Sequence, residues 1–148
     1  MQTYTVPRMY QQIGRPLGTS SWHEVRQEDV TAFGRATRDL EDIHLDPEAA
    51  IRKGFAGTIA HGIFVLALGP LMLQELFIVE ARLALYYGFD KVRFTSPTNV
   101  GCRVRMSVSV VGGQEVEGGH RFTYAQVFEA EDSGKPVCYA ESVCVYYD

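Results

Sequence analysis

Hydrophobic and polar positions alternate most cleanly over residues 102–111, where Val104, Met106, Val108 and Val110 fall on one side and Arg103, Arg105, Ser107 and Ser109 on the other. A period of two predicts a strand with one buried face. The same reading places strands at 84–95, where Val92 and Phe94 are set against Lys91 and Arg93, at 121–130 and at 136–146. Turns are expected at 97–101 and at Asp132-Ser133-Gly134, and Gly112-Gly113 and Gly118-Gly119 should flank a hairpin loop. Ahead of residue 80 the period changes. Val30, Phe33 and Thr37 recur at helical spacing behind an acidic first turn, which predicts a one-faced surface helix over 27–38. Asp46-Pro47-Glu48 opens a short second helix: Asp accepts from first-turn amides, Pro is tolerated at the first helical position, and Glu suits the positive end of the dipole. Gly54 ends it. Residues 62 to about 79 are apolar on every side and predict a long, fully buried helix, with Pro70 either kinking it or closing a short first segment. Residues 21–25 read as a short strand, and 1–20, with Pro7, Gly14, Pro16 and Gly18, as an irregular arm. Helices followed by a run of antiparallel strands mean α+β, in one domain spanning 1–148.

The length of 148 residues suits one sizeable core, and a net charge of -4 with no Lys/Arg run longer than two argues against a nucleic-acid surface. The first residues lack an apolar signal core. The apolar run 63–73 is too short to cross a bilayer, so no membrane partner is expected. Cys102, Cys138 and Cys144 make an odd count without metal-ligand spacing. On one strand Cys138 and Cys144 would stand roughly 20 Å apart at about 3.3 Å per residue, beyond disulfide reach. Free thiols in a reducing cytoplasm are the simplest reading.

Candidate chemistry concentrates between Asp39 and Gly62. Asp39 follows the C-terminus of the 27–38 helix, where a carboxylate has the wrong sign for the dipole, so it is not there for the helix. His44 lies five residues on, across a segment read as non-helical, and a tight loop can bring the two side chains to one point. The bland alternative is a satisfied loop hydrogen bond. His61-Gly62 opens the apolar helix, and backbone N–H groups at such an end favour negative charge. Asp46 is accounted for as a cap. With its oxygens so occupied, His44, Asp46 and His61 make a poor ligand set, and neither metal nor other cofactor is expected. His61 is read as a brace between the loop and the helix start. His23 and His120 read as surface residues, Tyr86, Tyr87 and Phe89 as core or interface, and Arg93, Arg103 and Arg105 as a solvated strand face.

These residues carry a resemblance. Asp39, Ile43, His44-Leu45-Asp46, Ala49-Ala50, Gly54-Phe55-Ala56-Gly57-Thr58-Ile59 and Ala60-His61-Gly62 are similar to the signature of the MaoC-like dehydratases of the hotdog fold, which include the R-specific enoyl-CoA hydratases. Within that family the segments Gly18–Val25 and Tyr87–Phe94 most resemble the nodulation-protein-N-like subgroup. The resemblance implies a buried central helix wrapped by an antiparallel sheet, and a homodimer or higher assembly whose sheets join, with an acyl thioester tunnel along the interface. It implies that Asp39 and His44 activate water as a general acid/base pair, and that the Gly62 amide helps form an oxyanion hole. The substrate would be a trans-2-enoyl or 3-hydroxyacyl thioester of CoA or a carrier protein. Three positions depart from the pattern. Leu40-Glu41-Asp42 replaces an apolar-Asn-Pro run, Arg38 stands where Gly is common, and Pro70 replaces a Ser of some hydratases. Glu41 and Asp42 would raise the pKa of the pair if they pointed inward. A hotdog thioesterase remains an alternative, as does a lyase, isomerase, cyclase or acyl binder of a biosynthetic pathway.

Overall fold

A computed structural model describes residues 1–147; Asp148, the last residue of the expected 1–148 domain, lies outside the described residues. The chain begins with β1 (Gln2–Tyr4), α1 (Val6–Tyr10), β2 (Pro16–Thr19) and β3 (His23–Glu24). Residues 1–20 are therefore not an irregular arm. Thr5 caps α1 by accepting from the Arg8 amide at 3.4 Å, and Pro7 falls in the first turn, where a missing N–H costs nothing. The helix drives Met9 fully into the core and sets Tyr10 against Phe122 at 4.8 Å between ring centroids.

Helices α2 (Gln27–Thr37), α3 (Asp42–Leu45), α4 (Pro47–Arg52), α5 (Gly62–Ala67) and α6 (Gly69–Leu76) follow. The apolar stretch that begins at Gly62 thus forms two helical segments meeting at Leu68, and Pro70 sits in the first turn of the second. The helix stops at Leu76 rather than near Val79. Phe77–Val79 becomes β4, paired in parallel with β1, because its β-branched and aromatic residues favour extended backbone once a partner strand is present. Nor is it buried on every side. Phe64, Val65, Leu66, Met72 and Leu73 face the core, while Ile63 and Leu71 are exposed.

The main sheet is built from β5 (Leu83–Phe94), β6 (Arg103–Val116), β7 (Gly119–Ala130) and β8 (Pro136–Tyr147) in the order β2-β6-β7-β8-β5, with β3 also on β6. The strands β5 to β8 are antiparallel. Val104, Met106, Val108 and Val110 on β6, Phe122, Tyr124 and Phe128 on β7, and Ala140, Cys144 and Tyr146 on β8 form one core with α5 and α6. Tyr124 and Tyr146 satisfy each other inside it through a 2.9 Å hydroxyl contact. The β6–β7 hairpin is tighter than expected. It turns at Glu117-Gly118, with Gly118 at φ 74°, and Gly112-Gly113 lie inside the strand beside a register shift after Val110. A Cβ at Gly113 would stand 2.8 Å from the Phe122 ring, so the strand can pass there only as glycine.

Strand β5 pairs with β8 and ends the sheet, and Leu83, Leu85, Tyr87, Phe89 and Phe94 are exposed along it. All three cysteines are free and buried, and burial pushes the Cys102 thiol up to about 12 and those of Cys138 and Cys144 to about 11. Such thiols are unreactive at neutral pH. Among the described residues no helix is long and apolar enough to cross a membrane.

Candidate active site

Helix α2 releases the chain through Arg38, whose φ of 62° is left-handed. This conformation closes many helices and is normally held by glycine. It turns the backbone so that Asp39 leaves the helix axis. The segment from there to His44 is not wholly non-helical, as the sequence suggested: Asp42–Leu45 make the single turn α3, too short to display a period. That turn carries His44 inward, to 8% exposure. Asp46 ends α3 and caps α4, its Oδ1 accepting from the amides of Glu48 at 2.9 Å and Ala49 at 3.2 Å. Gly54, at φ 95°, follows the end of α4.

His44 is held on three sides. Its Nδ1 lies 2.7 Å from the Ile59 carbonyl oxygen, which can only accept, so Nδ1 carries the proton and the neutral ring offers a lone pair at Nε2. Its own carbonyl accepts from Gln27 Nε2 at 2.8 Å, and Gln27 Oε1 accepts from the Thr58 hydroxyl at 2.6 Å. The Ile59 amide donates to the Ile43 carbonyl at 3.1 Å. Gln27 and Thr58 are functional supports that sequence reading missed. Gln27 lies outside the signature and Thr58 stands at a variable position within it, and the contacts span 17 and 31 positions.

Asp39, His44 and His61 converge: a carboxylate oxygen and one nitrogen from each ring lie within 4.8 Å of one another. The His61 ring is 3% exposed and stacks on His44 at 3.8 Å and 28°. Its Nε2 donates to the Asp39 main-chain carbonyl at 3.0 Å, the bracing contact expected of it. The Asp39 carboxylate is half exposed, with Oδ2 3.9 Å from the same nitrogen. Asp46, the third member of the ligand set weighed from the sequence, stays with its helix. The set that does converge suits a metal poorly. Near-parallel stacked rings aim their lone pairs side by side rather than at one point, and His61 Nε2 already donates to Asp39.

A cavity of about 350 Å³ adjoins the group, with His44, Gly62, Val65, Phe94, Thr98 and Val137 among its walls; Asp39 is not one of them. Gly62 is the first residue of α5, so its amide has no intrahelical partner. A Cβ there would meet the Phe94 ring at 2.8 Å, so any other residue would have to displace that ring. The two added carboxylates do not crowd the pair. Asp42 bonds Lys53, which holds its carboxyl below the ordinary range, and Glu41 is exposed.

Two histidines expected at the surface have partners. His23 Nε2 lies 2.6 Å from Glu75, and His120 Nδ1 is 3.1 Å from the Tyr10 hydroxyl, because the ordered N-terminal segment reaches it. Arg103 and Arg105 are ion-paired with Glu131 and Glu129, and Arg105 lies over Trp22. Tyr86 is half-buried against Gln126, while Tyr87 and Phe89 face outward.

The architecture is a helix laid on an antiparallel sheet, with a carboxylate and two imidazoles near the helix start, and it places the chain among the hotdog-fold hydro-lyases. The MaoC-like domain model matches residues 8–131, and the chain belongs to that family, with its hotdog fold. It is similar to 3-hydroxyacyl-thioester dehydratase Z of Mycobacterium tuberculosis (strain ATCC 25618 / H37Rv), at 42% identity over 135 residues covering 90% of this chain and 89% of that protein. Nodulation protein N of Rhizobium leguminosarum bv. viciae is 37% identical over 138 residues, 90% of this chain and 85% of its own. Among solved structures, a monoamine oxidase regulatory protein from Archaeoglobus fulgidus matches with a TM-score of 0.79 at 26% identity, covering 93% of this chain and 91% of that one. The (R)-hydratase from A. caviae involved in PHA biosynthesis matches at 0.72 and 25% identity, covering 86% and 93%.

Proposed function

We propose that the protein interconverts a trans-2-enoyl thioester, carried on CoA or a carrier protein, and the corresponding 3-hydroxyacyl thioester. The observation that carries this reading is the approach of Asp39 and His44 to within 4.8 Å beside a cavity that His44 shares with Gly62. Two groups that each hydrogen-bond one water at about 2.8 Å stand no more than roughly 5.6 Å apart, and the pair falls within that reach. In hydration the water oxygen bonds to C3 as its proton passes to one member of the pair. The alkene electrons move toward the thioester, and a proton is delivered to C2. Charge that develops on the thioester oxygen is stabilised by the Gly62 amide, a fixed donor in a largely apolar cavity. Dehydration reverses each step. The dehydratase named among the relatives acts on 3-hydroxyacyl thioesters, which supports the substrate class. The assembly proposed is a cytoplasmic homodimer joined through β5. Phe94 supports it, since this residue is exposed on that strand and also walls the cavity, so a second copy would help enclose the acyl thioester.

The test is hydration of crotonyl-CoA. Asp39→Asn and His44→Gln should each lower kcat by about 10²- to 10⁴-fold while thermal unfolding stays cooperative. Undiminished turnover in both variants removes the proposal, and release of free CoA in place of hydration assigns a thioesterase.

A further inference from the structure

We infer that His61 and Gly34 are positioning residues that together seat Asp39, an inference that rests on the acid/base reading of Asp39 and His44. Asp39 has just left α2 through a left-handed residue, and its half-exposed carboxylate lies at the limit of ion-pair distance from His61. What fixes the residue is its main chain. The carbonyl receives the His61 Nε2–H at 3.0 Å, and Gly34, one turn back on α2, leaves room for it. A Cβ at position 34 would fall 2.8 Å from the Asp39 oxygen, and 3.3 and 3.4 Å from His61 Cε1 and Nε2. Glycine inside a helix is unfavourable relative to alanine, and here the space it leaves is filled by the carbonyl and imidazole of this contact.

His61 is itself immobilised. Phe33 packs against its ring at 5.2 Å, the ring stacks on His44, and its residue opens α5. Two backbone carbonyls therefore select opposite nitrogens in two stacked imidazoles: Ile59 binds Nδ1–H of His44, and Asp39 binds Nε2–H of His61. The stack registers the Asp39 loop against His44 across elements far apart in sequence. With its Nε2–H given to the Asp39 carbonyl and its face stacked on His44, His61 acts through Asp39 and not on substrate.

Three variants test this. His61→Leu keeps bulk and removes the donor, His61→Gln replaces the ring N–H with an amide N–H, and Gly34→Ala fills the seat while favouring the helix. His61→Leu and Gly34→Ala should lower kcat for crotonyl-CoA by about 10- to 100-fold, with KM changed less than about threefold, as expected when a reacting group is misplaced. Both should also speed amide hydrogen exchange at residues 39–41. His61→Gln should stay within about fivefold of the parent and keep its exchange rates. Equal losses in His61→Leu and His61→Gln, or parental exchange at 39–41 in both His61→Leu and Gly34→Ala, overturns the inference. Exchange is read without turnover, so full activity in Asp39→Asn and His44→Gln would sink the hydratase reading while the exchange rates still decide the seat.

Discussion

Arg38 holds a backbone conformation that costs a residue with a Cβ roughly 1–2 kcal/mol. The sequence marked the position only as a departure from a common glycine; the structure gives the reason for that glycine. Arg38→Gly should therefore stabilise the fold, by up to about 1 kcal/mol because glycine's larger unfolded-state entropy offsets part of the relieved strain. A urea titration that showed no gain, or a loss, would mean that the Arg38 side chain contributes more than its backbone costs. At this scale the sequence revealed groups whose chemistry is anomalous where they stand. Asp39 was conspicuous as a carboxylate at the wrong helix end, and Asp46 as a cap. Gln27, Thr58 and Gly34 were not, because an amide, a hydroxyl and a missing side chain acquire their roles only through partners brought close by folding.

Elements were legible in proportion to how many periods they complete. Strands β6, β7 and β8 run 14, 12 and 12 residues, and burial alternates with a period of two over Arg103–Val110 and Arg121–Ala130, often enough to be read, while β8 buries Ser142–Tyr146 without a break. The elements α1, β1 and α3, of 5, 3 and 4 residues, never repeat. The end of α6 was misplaced for a related reason. Three residues, Phe77, Ile78 and Val79, are too few to show a period of two, and their strand exists because β1 lies alongside. The N-terminal elements nevertheless belong to the core. Met9→Ala should cost about 2–5 kcal/mol, the usual range for truncating a buried methionine. A change below 0.5 kcal/mol in chemical denaturation would show that the segment packs loosely.

For the whole molecule, the α+β class followed from order, with helices ahead of a run of antiparallel strands and one apolar stretch to lie against them; the strand order, with β2 and β3 on β6 and β1 on β4, did not. What the order could not say is which sheet margin stays open. β2 and β5 stand at the two ends of the strand order, and the long one is β5, with Leu85 and Tyr87 exposed along it. Leu85→Lys combined with Tyr87→Glu should convert a sedimenting dimer into a monomer; a parent that already sediments as a monomer at micromolar concentration contradicts the proposed join.

The proposed join through β5 also bears on thermodynamics. A chain whose outermost strand is completed by another molecule has no melting temperature of its own, only one for each loading of the tube. Each tenfold dilution would withdraw about 1.4 kcal/mol from the paired state, so endurance to heat becomes a property of the population.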